Sequence, residues 1–459
     1  METNNETNAR LHYDLRLWVN PLAQQVRISG SLVYHAPPQG ASQARFYLNK
    51  GLKVRSIEGR RVLGYHFELK PKQPLPTWLP ESGTLDVHFD PPLAGNNAAL
   101  VQFELEGRLN LPSRDWIELS LPLAWYPVYV PGESSSANGP TNPAEGFIGA
   151  PGAGSSAEGR APALFSADGA GGAAPELTFT LQVTCPAGYA AASLGETSQQ
   201  GDTWHFNWPH PTNDIVVVVG RHLRSRSYES ESNRVQLHSV SLGDEAAGLL
   251  GEDLLWALER FAGWFGPVRP AEFTVIQSPR VLGQGYARRG LVVLANLSEK
   301  EYLDQREAYL RCLAHEAAHT WWWAAPSASW EDWLNESFAE YSALMAIRER
   351  YGAEIFNRRL ERKREQAHER LATSLPLWGF DRTDTTTAEK LALVEAQLYD
   401  KGPLLLHELA ERTGHRRFID LCRAMQWSEV RTTAHFLDLL EEVEDNPTRT
   451  WMEEMLKNP

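Results

Sequence analysis

Hydrophobic and polar residues alternate from His12 onward. Tyr13, Leu15, Leu17 and Val19 take every second position, and Val26, Ile28, Leu32 and Tyr34 repeat the pattern after the Asn20-Pro21 turn signal. Period-two patterning with turn residues between runs predicts antiparallel strands that bury one face. Residues 44–48, 85–89, 99–105, 177–183 and 203–208 read as further short strands. Regular short strands of this kind predict an all-β domain, a sandwich or a saddle-like sheet, over residues 1–225. One segment interrupts it. Residues 132–175 are dominated by Gly, Ala, Ser and Pro, with few large apolar residues. Such a stretch buries too little surface to offset the entropy of ordering it, so a flexible surface loop is expected, with a lid over a site as the alternative.

The pattern changes after Ser225. Strands are expected near 235–241, 273–277 and 291–294, and a helix over 247–265. From Asp304 the spacing is almost entirely helical. It predicts a helix through 310–319, a second from Asn335 (its N-cap) to Arg350, and others over 353–371, 388–412, 415–425 and 435–444. The chain is therefore expected to be α+β, with an amino-terminal β domain followed by a mostly helical domain over 226–459. It contains no internal repeats.

Composition narrows the function classes. Hydrophobic content of 42%, with 16 Trp, 14 Tyr and 16 Phe in 459 residues, fits a globular enzyme and excludes wholesale disorder. Lys plus Arg number 44 against 58 Asp plus Glu, a net charge of −14 that argues against nucleic acid or an anionic membrane as partner. Cys185, Cys312 and Cys422 are too few and too scattered for a disulfide framework. The polar start, Met1-Glu-Thr-Asn-Asn-Glu, is not a secretory signal, and the apolar runs 215–219 and 291–294 are far short of a membrane span. A cytoplasmic location is expected.

The densest chemistry lies in His315-Glu316-Ala317-Ala318-His319. Histidines four apart lie one turn apart on one helix face, so both imidazoles reach the same metal ion. Glu316 stands beside that metal, where it can take a proton from water. In the next helix, Trp333-Leu-Asn-Glu336-Ser-Phe-Ala, Glu336 supplies a third ligand. Two histidines and a glutamate with one position open form the ligand set of a catalytic zinc site, with one Zn²⁺ per chain. Glu340, a turn beyond Glu336, is a candidate to orient a ligating histidine, with an exposed carboxylate as the alternative. Trp321, Trp322 and Trp323 are expected to pack, and Cys312 and His407 to be structural.

The two segments together resemble the aminopeptidase N-like zinc metallopeptidases, a gluzincin group that includes leukotriene hydrolase. The resemblance implies a β saddle followed by a thermolysin-like zinc peptidase domain, in a two-domain form without the carboxy-terminal helical domain of many members. It implies the role of Tyr399 as well. Tyr399-Asp400-Lys401-Gly402 is similar to the family's Tyr-x-Lys-Gly motif, whose tyrosine donates a hydrogen bond to the developing oxyanion. Three features depart from the family. The spacer between His319 and Glu336 is shorter, with the deletion falling in 325–329, and the loop 132–175 replaces a short connection. Most informative is the third: aligned on Gly290-Leu291, Ala287 replaces the glutamate that holds the substrate's free amino group, followed by Arg288 and Arg289. Arginines there would repel an ammonium.

These readings converge on a zinc metallopeptidase with a peptide substrate, His315, His319 and Glu336 as ligands, and Glu316 and Tyr399 as catalytic groups. Two alternatives stand beside it. One is a hydrolase of amino-blocked or acidic substrates paired with Arg288 or Arg289. The other is a non-catalytic zinc-containing binding module, which needs neither Glu316 nor Tyr399.

Overall fold

In the computed structural model the described residues are 11–72, 75, 79–111, 113–129, 177–267, 272–281, 285–327, 329–370, 372–382 and 387–458. The expected loop over 132–175 lies outside them.

The amino-terminal half is built of β-sheet. Its largest sheet has seven strands in the order Glu196–Gln200, Thr203–Thr212, Leu177–Thr184, Leu11–Asn20, Gln25–His35, Ala98–Arg108 and Leu52–Glu58. The alternation seen in the sequence becomes alternating burial: Leu11, Tyr13, Leu15, Leu17 and Val19 are in the core while His12, Asp14 and Arg16 face out. One pairing departs from the antiparallel expectation. Leu11–Asn20 runs parallel to Leu177–Thr184, with Leu11 opposite Leu177. Parallel neighbours need a long crossover, which the intervening residues supply.

A five-stranded sheet joins the two halves, in the order Arg224–Glu229, Arg234–Ser239, Glu272–Gln277, Leu291–Leu294 and Tyr286–Arg288. Both of its faces are covered, which explains the unbroken apolar run Leu291-Val-Val-Leu294. Phe273, Val275, Val292 and Leu294 point into the helical core, whereas Ile276, Leu291 and Val293 point into the β core. The edge strand obeys the same parity: Ala287 packs toward the helices, and Tyr286 toward the β half.

Ten helices complete the described residues: α1 (Asp244–Phe265), α2 (Glu299–Asp304), α3 (Arg306–Ala318), α4 (Trp333–Tyr351), α5 (Ala353–Glu369), α6 (Ala388–Ala396), α7 (Gly402–Thr413), α8 (His415–Trp427), α9 (Thr433–Val443) and α10 (Asn446–Lys457). The mixed α+β architecture is the expected one; two details differ. The single helix expected over 388–412 is interrupted by one widened turn, Gln397–Lys401, between α6 and α7. Asn335 does not cap α4. A short 3₁₀ turn, Trp330–Asp332, precedes that helix, and Ser329 Oγ accepts the Glu331 amide at its start. Asn335 instead clamps the preceding loop: its Oδ1 accepts from Ala325 N at 3.1 Å and its Nδ2 donates to Ala325 O at 3.0 Å and Asp332 Oδ1 at 2.9 Å. Helix α10 was not anticipated, although Asp445 accepts the Thr448 amide at 2.8 Å and a proline opens the first turn, both sequence signals for a helix start.

Candidate active site

His315 lies in the last turn of α3 and His319 just past it, as the four-residue spacing requires. Their Nε2 atoms are 3.2 Å apart. His319 Nδ1 is 2.9 Å from the carbonyl oxygen of Trp322, which only accepts, so this nitrogen carries the proton. His315 Nδ1 is 3.0 Å from Glu340 Oε2, again an acceptor. Both Nε2 atoms therefore turn toward the same point, where each presents a lone pair once its ring is neutral. Glu336 Oε2 joins them, 3.3 Å from His315 Nε2 and 3.5 Å from His319 Nε2, and it is buried without accepting a hydrogen bond.

Three acceptors this close repel one another unless a cation lies between them. Zinc bonds of about 2.0–2.1 Å at tetrahedral angles set neighbouring ligand atoms roughly 3.3–3.4 Å apart. The observed separations match. Glu316 also brings a carboxylate oxygen within 4.8 Å of the histidine nitrogens, but Glu336 lies nearer to both, which favours it as third ligand and leaves Glu316 at the side of the site.

The electrostatics agree. Burial by itself would lower the His315 pKa, yet Glu336 and Glu340 on either side raise it to about 10. His319 shifts the same way, burial being outweighed by Glu336. Burial would raise Glu336, but the His319 and His315 rings hold it well below the usual carboxylate range. A field that draws protons onto both histidines favours any cation placed there. Burial raises Glu316, although the two histidines oppose the shift.

Glu340, 2% exposed, forms a hub behind His315. It accepts from Arg311 Nη1 at 2.7 and 2.9 Å, and Lys363 Nζ lies 2.7 Å from its Oε1. Lys363 also donates to the Tyr399 carbonyl at 2.5 Å, tying the support of the histidine to the turn that carries the tyrosine. That turn is the widened one, a shape often found at functional positions. Tyr399 stacks obliquely on His315, with ring centroids 5.7 Å apart. Burial and then Glu336 push its pKa far above the ordinary value, so the phenol keeps its proton. Ser337 Oγ donates to Leu398 O at 2.7 Å, and a Cβ at Gly402 would sit 2.0 Å from that same Oγ. Glycine in Tyr399-Asp-Lys-Gly402 thus lets the turn close against the helix of Glu336.

The edge strand behaves differently. Arg288, expected to meet substrate, turns instead to the β half. It is buried, 3.5 Å from Asp214 Oδ2, with its guanidinium 4.5 Å over the Tyr286 ring. Period-two alternation places it on the face opposite Ala287. Tyr286 and Arg280 both bond Glu118, at 2.9 Å, so this face is an ionic seam between the two halves. Arg289, also expected at a subsite, lies 4.1 Å over the indole of Trp323. Trp321 and Trp322 are buried in aromatic contacts with Phe261, Phe265 and Phe338, whereas Trp323 is 39% exposed. His407 bonds the Tyr341 hydroxyl, and Cys312 is a buried free thiol.

Sequence reasoning passed over Arg311, Lys363, Asp332 and Arg382. Arg311 had a signal, since it precedes His315 by four residues on the same helix. Asp332 and Arg382 pair at 2.9 Å next to Glu336 and Tyr399. Lys363 and Arg382 reach the site from distant segments and have no local signature.

Comparison with known proteins agrees with this arrangement. Residues 288–456 match the peptidase family M1 domain. The carboxy-terminal part of the chain is thus similar to the M1 peptidases, of the aminopeptidase N and leukotriene A4 hydrolase type. The fold of the chain is similar to that of an M1 zinc metallopeptidase from Deinococcus radiodurans, solved as a mutant bound to a Tyr-Ser-Ala substrate: 18% identity, a TM-score of 0.62, and coverage of 98% of this chain and 94% of that one. It is also similar to native yeast LTA4 hydrolase, at 14% identity and a TM-score of 0.65, covering 98% of this chain and 68% of the yeast one. No curated protein sequence matches the chain. Among the described residues no helix is long and apolar enough to cross a membrane.

Proposed function

We propose that this protein is a zinc-dependent peptidase that cleaves peptide bonds with water. The observation that carries the reading is the convergence of His315 Nε2, His319 Nε2 and Glu336 Oε2, 3.2–3.5 Å apart. These residues would hold the metal, and Glu340 and the Trp322 carbonyl orient the two imidazoles for it. When bound, zinc supplies a Lewis acid that polarises a carbonyl oxygen and makes water acidic at neutral pH.

The chain's own residues do the rest. Glu316 accepts a proton from the attacking water and returns it to the leaving amine nitrogen. Its burial suits both tasks, because a raised pKa brings a carboxylate nearer the operating pH. Tyr399 donates its O–H to the carbonyl oxygen as that oxygen gains charge. Burial, and then the negative groups around Tyr399, keep it protonated, so it remains a donor at neutral pH.

A second reading within this class concerns the amino end of the substrate. Ala287 offers no carboxylate on the helical side of the edge strand, which favours substrates that do not depend on a free ammonium. A peptide library presented with free and with acetylated amino ends tests both readings, with zinc measured in the same preparation. Hydrolysis of both forms, at close to one zinc per chain, is expected. Stoichiometric zinc with no hydrolysis of any member would leave the binding-module reading in its place.

A further inference from the structure

The site is rich in acids: Glu316, Glu336, Glu340 and Asp332 all lie in or beside it. Two of its cations are already spent, since Arg311 and Lys363 both bond Glu340. Arg382 is different. Its Nε donates to Asp332 Oδ2 at 2.9 Å, and Asp332 is held in turn by Asn335. The guanidinium is therefore aimed by a chain of bonds that runs into the helix of Glu336. Among the described residues it makes no other hydrogen bond. Asp332 is 2% exposed, whereas the Arg382 side chain keeps 18% of its surface open. Asp332 lies in the turn that opens α4, four residues before Glu336, so the guanidinium is held beside the helix that carries this candidate ligand.

We propose that Arg382 forms a carboxylate-binding subsite of the active site, so that preferred substrates are short peptides carrying a free carboxylate close to the scissile bond. Asp332 takes the Nε atom and leaves the edge formed by the two Nη atoms, whose planar pair matches a carboxylate bidentately. Partial burial strengthens such a pair over one in open water. The carboxylate comes either from the peptide's carboxy terminus or from an acidic side chain next to the cleaved bond. The inference rests on the peptide hydrolysis proposed above for its meaning, but not for its test.

Binding is measured by calorimetry on zinc-loaded Glu316→Gln protein, which does not turn its ligands over. The probes are the dipeptide Tyr-Ala, its amide Tyr-Ala-NH2, and Tyr-Glu-NH2. At least one carboxylate-bearing probe is expected to bind roughly 10–150-fold more tightly than Tyr-Ala-NH2, the worth of a charge-assisted hydrogen-bonded pair. Tightening by Tyr-Ala alone identifies the carboxy terminus as the source, and tightening by Tyr-Glu-NH2 alone the side chain. Adding Arg382→Gln should erase the ratio, and Arg382→Lys should keep only part of it. Equal binding of all three probes by the parent overturns the subsite, and this arm needs no arginine variant to fold. So does a ratio that survives Arg382→Gln. If the ratio is present but protein with intact Glu316 cleaves no peptide, the subsite stands and the peptidase reading fails. If peptides are cleaved and Arg382→Gln lowers kcat equally on acid and amide, Arg382 acts only by positioning Asp332 and Tyr399, and the subsite is overturned.

Discussion

The metal cradle and the edge strand Tyr286–Arg288 are both short stretches in which single residues carry the meaning, yet they follow different logic. In the cradle each imidazole Nδ1 faces the acceptor that its chemistry demands, a carboxylate or a carbonyl, and the two Nε2 atoms converge with Glu336 Oε2 on a point suited to a cation. Helical spacing alone forces most of that arrangement. In the edge strand the alternation of a pleated sheet sends neighbouring residues to opposite sides, so Arg288 serves the ionic seam with Asp214 while only Ala287 packs on the side of the helices. Adjacent letters in a motif therefore answer to different parts of the molecule, and a charge at one position says nothing about the task of the next.

The comparison breaks most sharply at Glu316. Glu316→Gln is expected to keep zinc and thermal stability while lowering kcat by roughly 10²–10⁴-fold, the range for loss of a general base. Full activity would show that the proton acceptor lies elsewhere. Tyr399→Phe should lower kcat by about 10²–10³-fold with little change in KM, since the donor acts on charge that develops in the transition state. A change confined to KM would assign the tyrosine to substrate holding. Glu340→Gln should weaken zinc binding by roughly 10–100-fold, read by competition with a chelator, because the His315 ring loses its charged partner.

On the edge strand the effects are smaller. Ala287→Glu should raise kcat/KM on free-amine substrates by about tenfold, the low end for a charge-assisted bond, and leave acetylated ones unchanged. Equal gains on both would mean that residue 287 does not face the amine. Arg288→Met is expected to leave kcat/KM unaltered while costing about 3–5 kcal/mol in stability by denaturant titration, the penalty for stranding Asp214. Burial already pushes Asp214 up to about 6, against the pull of Arg288. A loss of turnover without loss of stability would return Arg288 to the substrate.

Much of this was legible in the chain. Period-two and helical spacing predicted the α+β architecture, because burial on one face imposes both periods. The group His315, Glu316, His319 follows from a single helix turn. The roles of Arg311 and Glu340 follow nearly as directly, each lying one turn from a ligand. Three things were not legible. Lys363 and Arg382 approach from segments whose path depends on the packing of several helices. The direction of Arg288 depends on strand parity, which is fixed only once Leu291–Leu294 is known to be buried on both sides. The widened turn at Tyr399 looks like continuous helix in sequence, since Ala388 to Arg412 contains good helix formers and its one proline stands in the first turn after the break.

The contact between Gly402 and Ser337 sets a mechanical condition on the site. Ser337 directly follows Glu336, and Gly402 lies three residues beyond Tyr399, so the proposed metal ligand and the proposed oxyanion donor ride on one interlocked block. A side chain at 402 would act as a wedge, moving the phenol outward from the metal ligands as a lever moves about its fulcrum. Any motion that keeps this contact must carry Glu336 and Tyr399 together, as two fittings bolted to one plate.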